Sequence, residues 1–216
     1  GGAELDAGYR WGRHWQTGVV VAERLTQYDN ARYDDVDATG HVVRAADSKS
    51  YLRHAAELYV AGKPWEPLRL RLGWELSRND TRDYDREMTG RLANGNLERR
   101  LIRDYEDAVR NQVGLHAVWT PFETLQLTAD ATWWRRAYDT YQARDAQNHW
   151  TNDTRVDSYL DLELESAWQF ADHPAGAWSL VLRGDRQSQR SNMRREVSFA
   201  TNYDVTRVWL GLAFHR

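Results

Sequence analysis

The chain has no cysteine, so no disulfide framework holds it together and no thiol chemistry is open to it. It has no run of about 18 apolar residues, which excludes a transmembrane helix. Basic residues are not in excess. The net charge is −3, which leaves nothing to hold a nucleic acid electrostatically. The seven histidines are scattered and form no HExxH or other zinc spacing. Neither GxSxG nor a phosphate-binding glycine loop occurs. No catalytic residue, metal site or cofactor is therefore implied, and no signal peptide is visible. Proline is scarce, four in 216 residues, and its placement is informative below. Phenylalanine is equally scarce, yet there are 11 tryptophans and 11 tyrosines. Amphipathic aromatics are the residues that membrane–water interfaces collect.

What is present is alternation. Val113, Leu115, Ala117 and Trp119 take every second position, with Arg110, Gln112, Gly114 and His116 between them. After a turn placed at Thr120-Pro121-Phe122-Glu123, Leu125, Leu127, Ala129, Ala131 and Trp133 alternate with Gln126, Thr128, Asp130, Thr132 and Trp134. A period of two over two such arms predicts antiparallel strands with one apolar and one polar face. The same pattern marks residues 3–11, 51–61, 68–77, 159–170, 177–186 and 205–214. It is clearest where Leu68, Leu70, Leu72, Trp74 and Leu76 oppose Arg69, Arg71, Gly73, Glu75 and Ser77. Residues 16–27 read as a strand of open phase, because Val19, Val20 and Val21 fill both faces. About nine strands result, joined by hairpins and therefore antiparallel, and no helix of normal length is needed.

The connections sort by length. Short ones lie near residues 13, 64, 121 and 174, and long polar ones cover 28–50, 78–108, 137–155 and 188–203. All four prolines, Pro64, Pro67, Pro121 and Pro174, fall in the short turns. Ala38-Thr39-Gly40 and Asn94-Gly95-Asn96 read as tips of long connections. Six tryptophans, Trp11, Trp15, Trp65, Trp119, Trp168 and Trp178, lie close to the short turns. Antiparallel strands put all the short turns at one end, so these six are expected to form a membrane-interface belt there. Short turns at one end, long loops at the other and an aromatic girdle describe an outer-membrane β-barrel. A soluble β-sandwich or barrel acting as a binding module is the alternative, because its inner face would be apolar too.

The ending, Asn202-Tyr203-Asp204-Val205-Thr206-Arg207-Val208-Trp209-Leu210-Gly211-Leu212-Ala213-Phe214-His215-Arg216, resembles the terminal strand of bacterial outer-membrane β-barrel proteins, with Gly211 and Phe214 at the matching places. Arg216 stands where a terminal aromatic is usual. The charged strands and the segment SNMRREVSFATNYD are similar, more weakly, to barrels that follow periplasmic tetratricopeptide repeats in export systems. The resemblance implies a transmembrane barrel with short periplasmic turns and long extracellular loops, in the bacterial outer membrane. Its implied partners are outer-membrane lipid, the outer-membrane assembly machinery and a periplasmic domain or partner chain. It further implies a pore or export conduit. A non-conducting structural anchor or surface-binding barrel is the second function class. An enzyme, which would need a Ser–His pair assembled across strands as in an outer-membrane lipase, is the third, and nothing in the sequence asks for it.

If the leucines meet lipid, the other face lines a lumen. Its candidate lining is Glu57, Arg69, Arg71, Glu75, Arg110, Asp130, Asp161, Glu163, Glu165, Arg183, Asp185 and Arg207, joined by Glu4, Asp6, Arg10, Arg53, His116 and Arg136. Glu163 is expected near Arg183, and Glu57 near Arg69 or Arg71. The acidic clusters Asp29, Asp34, Asp35, Asp37 and Asp80, Asp83, Asp85, Glu87 lack EF-hand spacing and read as solvated loops. Finally, a barrel whose last strand ends in the periplasm starts strand 3–11 on the outside. Single-chain bacterial barrels have an even strand number, so about nine strands lead to the expectation of at least one further strand upstream, or of several chains sharing one barrel.

Overall fold

The computed structural model describes residues 1–28, 34–36, 42–45, 49–82, 86–102, 106–173, 176–193 and 202–215. The strands are β1 (Gly2–Trp11), β2 (Trp15–Tyr28), β3 (Asp34–Val36), β4 (Val42–Ala45), β5 (Lys49–Trp65), β6 (Leu68–Arg82), β7 (Arg86–Arg91), β8 (Leu97–Ile102), β9 (Ala108–Phe122), β10 (Leu125–Arg144), β11 (Trp150–His173), β12 (Gly176–Ser191) and β13 (Tyr203–His215). No helix occurs among the described residues. Nine strands form one antiparallel sheet in the order β1-β2-β5-β6-β9-β10-β11-β12-β13, so each strand neighbours the next in the chain once the small ribbons are set aside. Those ribbons, β3–β4 and β7–β8, lie within the first two long connections. The sheet does not close: among the described residues β1 pairs only with β2, and β13 only with β12.

The turns correct the sequence reading in detail. The connection placed at 120–123 turns at Glu123 and Thr124, and Pro121 stays inside β9. It is accommodated because the register shifts there: Trp119 pairs with Leu127 but Phe122 with Leu125. Such a bulge is one of the few places a strand tolerates a residue without an N–H. Pro64 sits in the equivalent shift of β5, between Gly62 and Trp65, and the chain turns at Glu66 and Pro67. The stretch 137–155 is mostly strand. β10 and β11 run on to a tight turn at 145–149, with register shifts after Ala137 and Gln142 that break the alternation. The Asn94-Gly95-Asn96 tip is present, with Gly95 at φ 86° and the Leu92 N–H donating to Asn96 at 2.9 Å. The Ala38-Thr39-Gly40 tip and Pro174 lie outside the described residues.

The one compact hydrophobic cluster among the described residues is not under the sheet but at its long-connection end. Ile102, Ala108, Tyr138, Tyr141 and Met193 are buried there, with Trp150 against them. Arg155 lies 5.1 Å from both tyrosine rings, with Asp157 at 3.0 Å on its other side. Arg100 and Arg144 flank the Trp150 ring at 5.1 and 5.4 Å. A Cβ on Gly90 would collide with the Trp150 indole, so β7 approaches it as only glycine permits.

The large face of the sheet is without such a cover. Leu5, Leu72, Leu164, Leu210 and Leu212 stand between about half and 70% exposed. The opposite, polar face is the crowded one: Tyr59 is 7% exposed and Asp185 6%. One row of that face runs Gly8, Gly18, Tyr59, Gly73, Gly114. The Tyr59 ring lies over Gly18, where any Cβ would strike it, and its hydroxyl reaches Asp6 on β1 at 3.4 Å. Arg71 caps the ring from β6 at 4.2 Å. Missing side chains in that row let one tyrosine span three strands.

Candidate functional site: a charged face behind an apolar band

The register puts all twelve proposed lining residues on the polar face, and the six tryptophans on the apolar face at the short-turn end. On the polar face, charge is arranged as linked pairs. Glu57 and Glu75 are direct cross-strand partners, an unfavourable juxtaposition of like charges. Arginines on both sides relieve it. Arg71 donates to Glu57 at 2.8 Å, while Arg53 and, at 3.0 Å, Arg110 both donate to Oε1 of Glu75. His116 meets Asp130 at 2.7 Å, Arg183 donates to Glu163 at 2.6 Å, and Arg207 to Asp185 at 3.0 Å. Glu163 thus meets Arg183 as expected, and of the two arginines expected near Glu57, Arg69 and Arg71, it is Arg71 that pairs with it. Glu165 faces Arg183 in register, and Asp161 faces Gln187. Arg69, opposite Val118, takes part in none of these pairs. Small solvent-filled hollows lie along the face, one between Glu57, Arg71, Gln112 and Asp130, another between Asp161, Arg183 and Arg207. Among the described residues no group of three or more metal-ligating side chains converges.

The apolar face carries a band whose two borders can be traced row by row. The row that begins Trp11–Trp15 continues through Gly62, Leu70, Ala117, Ala129 and Leu164 to Gly184 and Val208. The aromatic border starts on that row and then leaves it. Trp119 lies two residues beyond Ala117 toward the short turns, Trp168 four beyond Leu164, and Trp178 and Phe214 six beyond Gly184 and Val208. The polar border on the other side descends in step. Glu23, His54 and Arg78 lie eight residues above the row at Trp15, Gly62 and Leu70. Asn111, Arg135 and Ser158 lie six above Ala117, Ala129 and Leu164, but Arg186 and Thr206 only two above Gly184 and Val208. No charged side chain interrupts the face between the borders. Both borders therefore cross the rows obliquely and stay parallel.

At about 3.3 Å per residue and 4.8 Å per strand, the descent is about 20 Å over about 38 Å of sheet, a slope of roughly 27°. The band is about eight residues along the strand, or about 23 Å measured square to its borders. Transmembrane barrels tilt their strands by about 35–45° and carry a lipid-facing band about 25 Å tall. Paired aromatics mark the lower border, Trp11 stacked on Trp15 at 5.9 Å and Trp178 tilted against Phe214 at 5.0 Å. Ion pairs mark the upper one. His54 meets Glu23 at 3.0 Å and Asp80 at 3.6 Å, and Arg78 joins Asp80 and Asp139 at 2.7 and 2.9 Å. Leu25 and Leu52 lie above this line, where the face becomes mixed.

Neither family models, nor curated proteins, nor solved structures give a match.

Sequence reasoning passed over Tyr59 and its glycine row, because their alignment exists only once the register is known. It also passed over the aromatic–arginine cluster at the long-connection end, whose members come from three connections. The recurrence of glycine on the polar side of β1, β2, β6 and β9 was the available signal.

Proposed function

We propose that this chain forms the wall of a bacterial outer-membrane β-barrel that passes or exports material through a charged lumen. The observation that carries the reading is the oblique apolar band of constant height, bounded by aromatics below and charge above. Two parallel borders cutting across the hydrogen-bonded rows are what a lipid slab imposes on tilted strands. Exposed leucines over so large an area are not tolerated on the surface of a monomeric protein in water. In lipid, every backbone N–H and C=O needs a protein partner. On this reading the free edges of β1 and β13 are paired with further strand in the assembled barrel. The polar face between them then lines the lumen, its arginine–carboxylate pairs holding shape and keeping it wet. The short turns face the periplasm and the β7–β8 ribbon the exterior.

A second reading, a non-conducting anchor or surface-binding barrel, has one observation in its favour. Tyr138, Arg155 and Asp157 stand on the polar face at the long-connection end, and Ile102 of β8 and Met193 share one buried cluster with Tyr138. A lumen roofed there would not conduct. Purified protein reconstituted in planar bilayers decides between the two. Stepwise current of porin size is the outcome expected for a conduit. A protein that inserts into lipid without current is the anchor, and one that stays monodisperse in water without detergent refutes both.

A further inference from the structure

Most arginines in the middle of the polar face have a carboxylate, Arg53 and Arg110 with Glu75, Arg71 with Glu57, Arg183 with Glu163 and Arg207 with Asp185, whereas Arg136 meets the Tyr138 hydroxyl instead. At the short-turn end of β1, β2, β5 and β6 this rule fails. Arg10, Arg13, His14, Lys63 and Arg69 line one cleft of about 510 Å³, with Glu66 the lone acid in its wall. None of Arg10, Arg13, Lys63 and Arg69 forms an ion pair or side-chain hydrogen bond among the described residues. The cluster is held in place by backbone. The Lys63 N–H donates to the His14 carbonyl at 2.8 Å, which ties the β1–β2 turn to β5. Gly62 lies against the Trp15 ring so closely that any Cβ would collide with it. Cations gathered without counter-charges repel one another, and the protein could have interleaved carboxylates here as it does a few residues further along the same strands. An anion that enters the cleft relieves that repulsion and gains charge-assisted hydrogen bonds from guanidinium forks suited to phosphate and carboxylate.

We propose that this cleft is a binding site for an oxyanion-bearing solute, one with at least two phosphate or carboxylate groups, at the short-turn end of the polar face. The proposal deepens the conduit reading by naming the class of material collected at its entrance: polyanionic rather than neutral or cationic. Arg10 and Arg69, which project from the polar faces of β1 and β6, hold the ligand from two sides, and Arg13 and Lys63 close over it from the turns.

The test uses the full chain in detergent micelles and two probes, inorganic pyrophosphate for phosphate and citrate for carboxylate. Binding is followed by titration calorimetry and by the fluorescence of Trp15 beside the cleft. At least one probe is expected to bind at millimolar affinity or better, weakening as salt is raised. The double variant Arg10→Gln/Arg69→Gln should weaken it at least tenfold, and Lys63→Gln severalfold, while Arg183→Gln at the far side of the sheet leaves it unchanged. All four positions are on or near the surface, so an unchanged heat-modified gel mobility verifies that the variants still fold. No binding of either probe by the wild-type chain overturns the proposal. So does equal binding by the double variant, or equal weakening by Arg183→Gln. Pyrophosphate or citrate binding by a chain that proves soluble without detergent keeps the cleft and overturns the membrane reading instead, so the two failures are distinguishable.

Discussion

Trp11 and Trp178 border the same apolar band, yet they are offset by six residues in register: the row through Trp11 reaches β12 at Gly184, not at Trp178. A flat border would have kept them in one row. The offset follows if both indoles sit at one depth while the strands between them lean.

That equality of depth is measurable. Single-tryptophan variants retaining Trp11, Trp119 or Trp178 should be quenched alike by lipids brominated at one chain position, and all three most strongly by labels near the headgroups. If quenching instead follows the register, with Trp11 deepest and Trp178 outside the bilayer, the border is not a membrane plane.

The two faces of β6 should differ in what they tolerate. Leu70 lies inside the band and Arg71 on the polar side, paired with Glu57. An arginine facing lipid costs about 2–4 kcal/mol at the midplane and less toward the interfaces. Leu70→Arg should therefore cut the yield of assembled protein severalfold in an outer-membrane fraction, while Arg71→Leu lowers it little. Equal yields would mean that Leu70 does not face lipid.

How much of this could be read without coordinates differs from strand to strand. Alternation from Leu68 to Leu76 identified β6 and both its faces, because a strict period of two has no other economical reading. It also sufficed to bring Glu57 near Arg69 or Arg71, since one hairpin of near-known length relates them, and the register then selects Arg71. The far ends of β10 and β11 were invisible for a physical reason. Past Ala137 the ladder slips twice, and the residues there pack on a loop cluster rather than on one continuous face. Pro121 misled in the other direction. Proline's missing N–H argues against a central strand, but a bulge removes the need for that donor. The unpaired cations around Arg69 became visible only when two turns, far apart in sequence, were brought side by side.

The row of glycines predicts a compensating pair. Gly18→Leu would put a side chain where the Tyr59 ring now lies. Overpacking of this kind typically costs about 1–3 kcal/mol, and it should lower the urea midpoint of the protein in micelles. Tyr59→Ala vacates the site, so Gly18→Leu/Tyr59→Ala should recover part of the loss. Additive losses in the double variant would place Tyr59 elsewhere.

Two carboxylates on the polar face should differ in weight. Glu75 is one-fifth exposed and serves two arginines, whereas Glu163 is more open and serves one. Glu75→Gln leaves Arg53 and Arg110 facing each other across a neutral group and should cost about 1–2 kcal/mol, within the range for hydrogen bonds to charged partners. Glu163→Gln removes a solvent-screened pair and should cost less than about 1 kcal/mol. Urea unfolding of both variants in the same detergent gives the comparison, and a larger loss for Glu163→Gln would contradict the assignment of Glu75 as the hub.

The turn between β10 and β11 should respond to acid through one residue. The Asp145 carboxylate accepts the His149 backbone N–H at 2.8 Å, the His149 ring at 2.9 Å and the Gln147 N–H at 2.9 Å. These donors, the His149 backbone N–H foremost, hold its pKa below the ordinary carboxylate range. A depressed folded-state pKa means that the ionised form is the one the turn favours. The stabilisation is present in full above the ordinary aspartate range and is lost as pH falls through the lower, folded value. The Gln147 and His149 amide resonances should therefore stay in place as pH drops to the usual aspartate range and move together only below it. In Asp145→Asn, which cannot titrate, they should not move in that window. Amide shifts that titrate at the ordinary aspartate value would show that the turn is not held by this carboxylate.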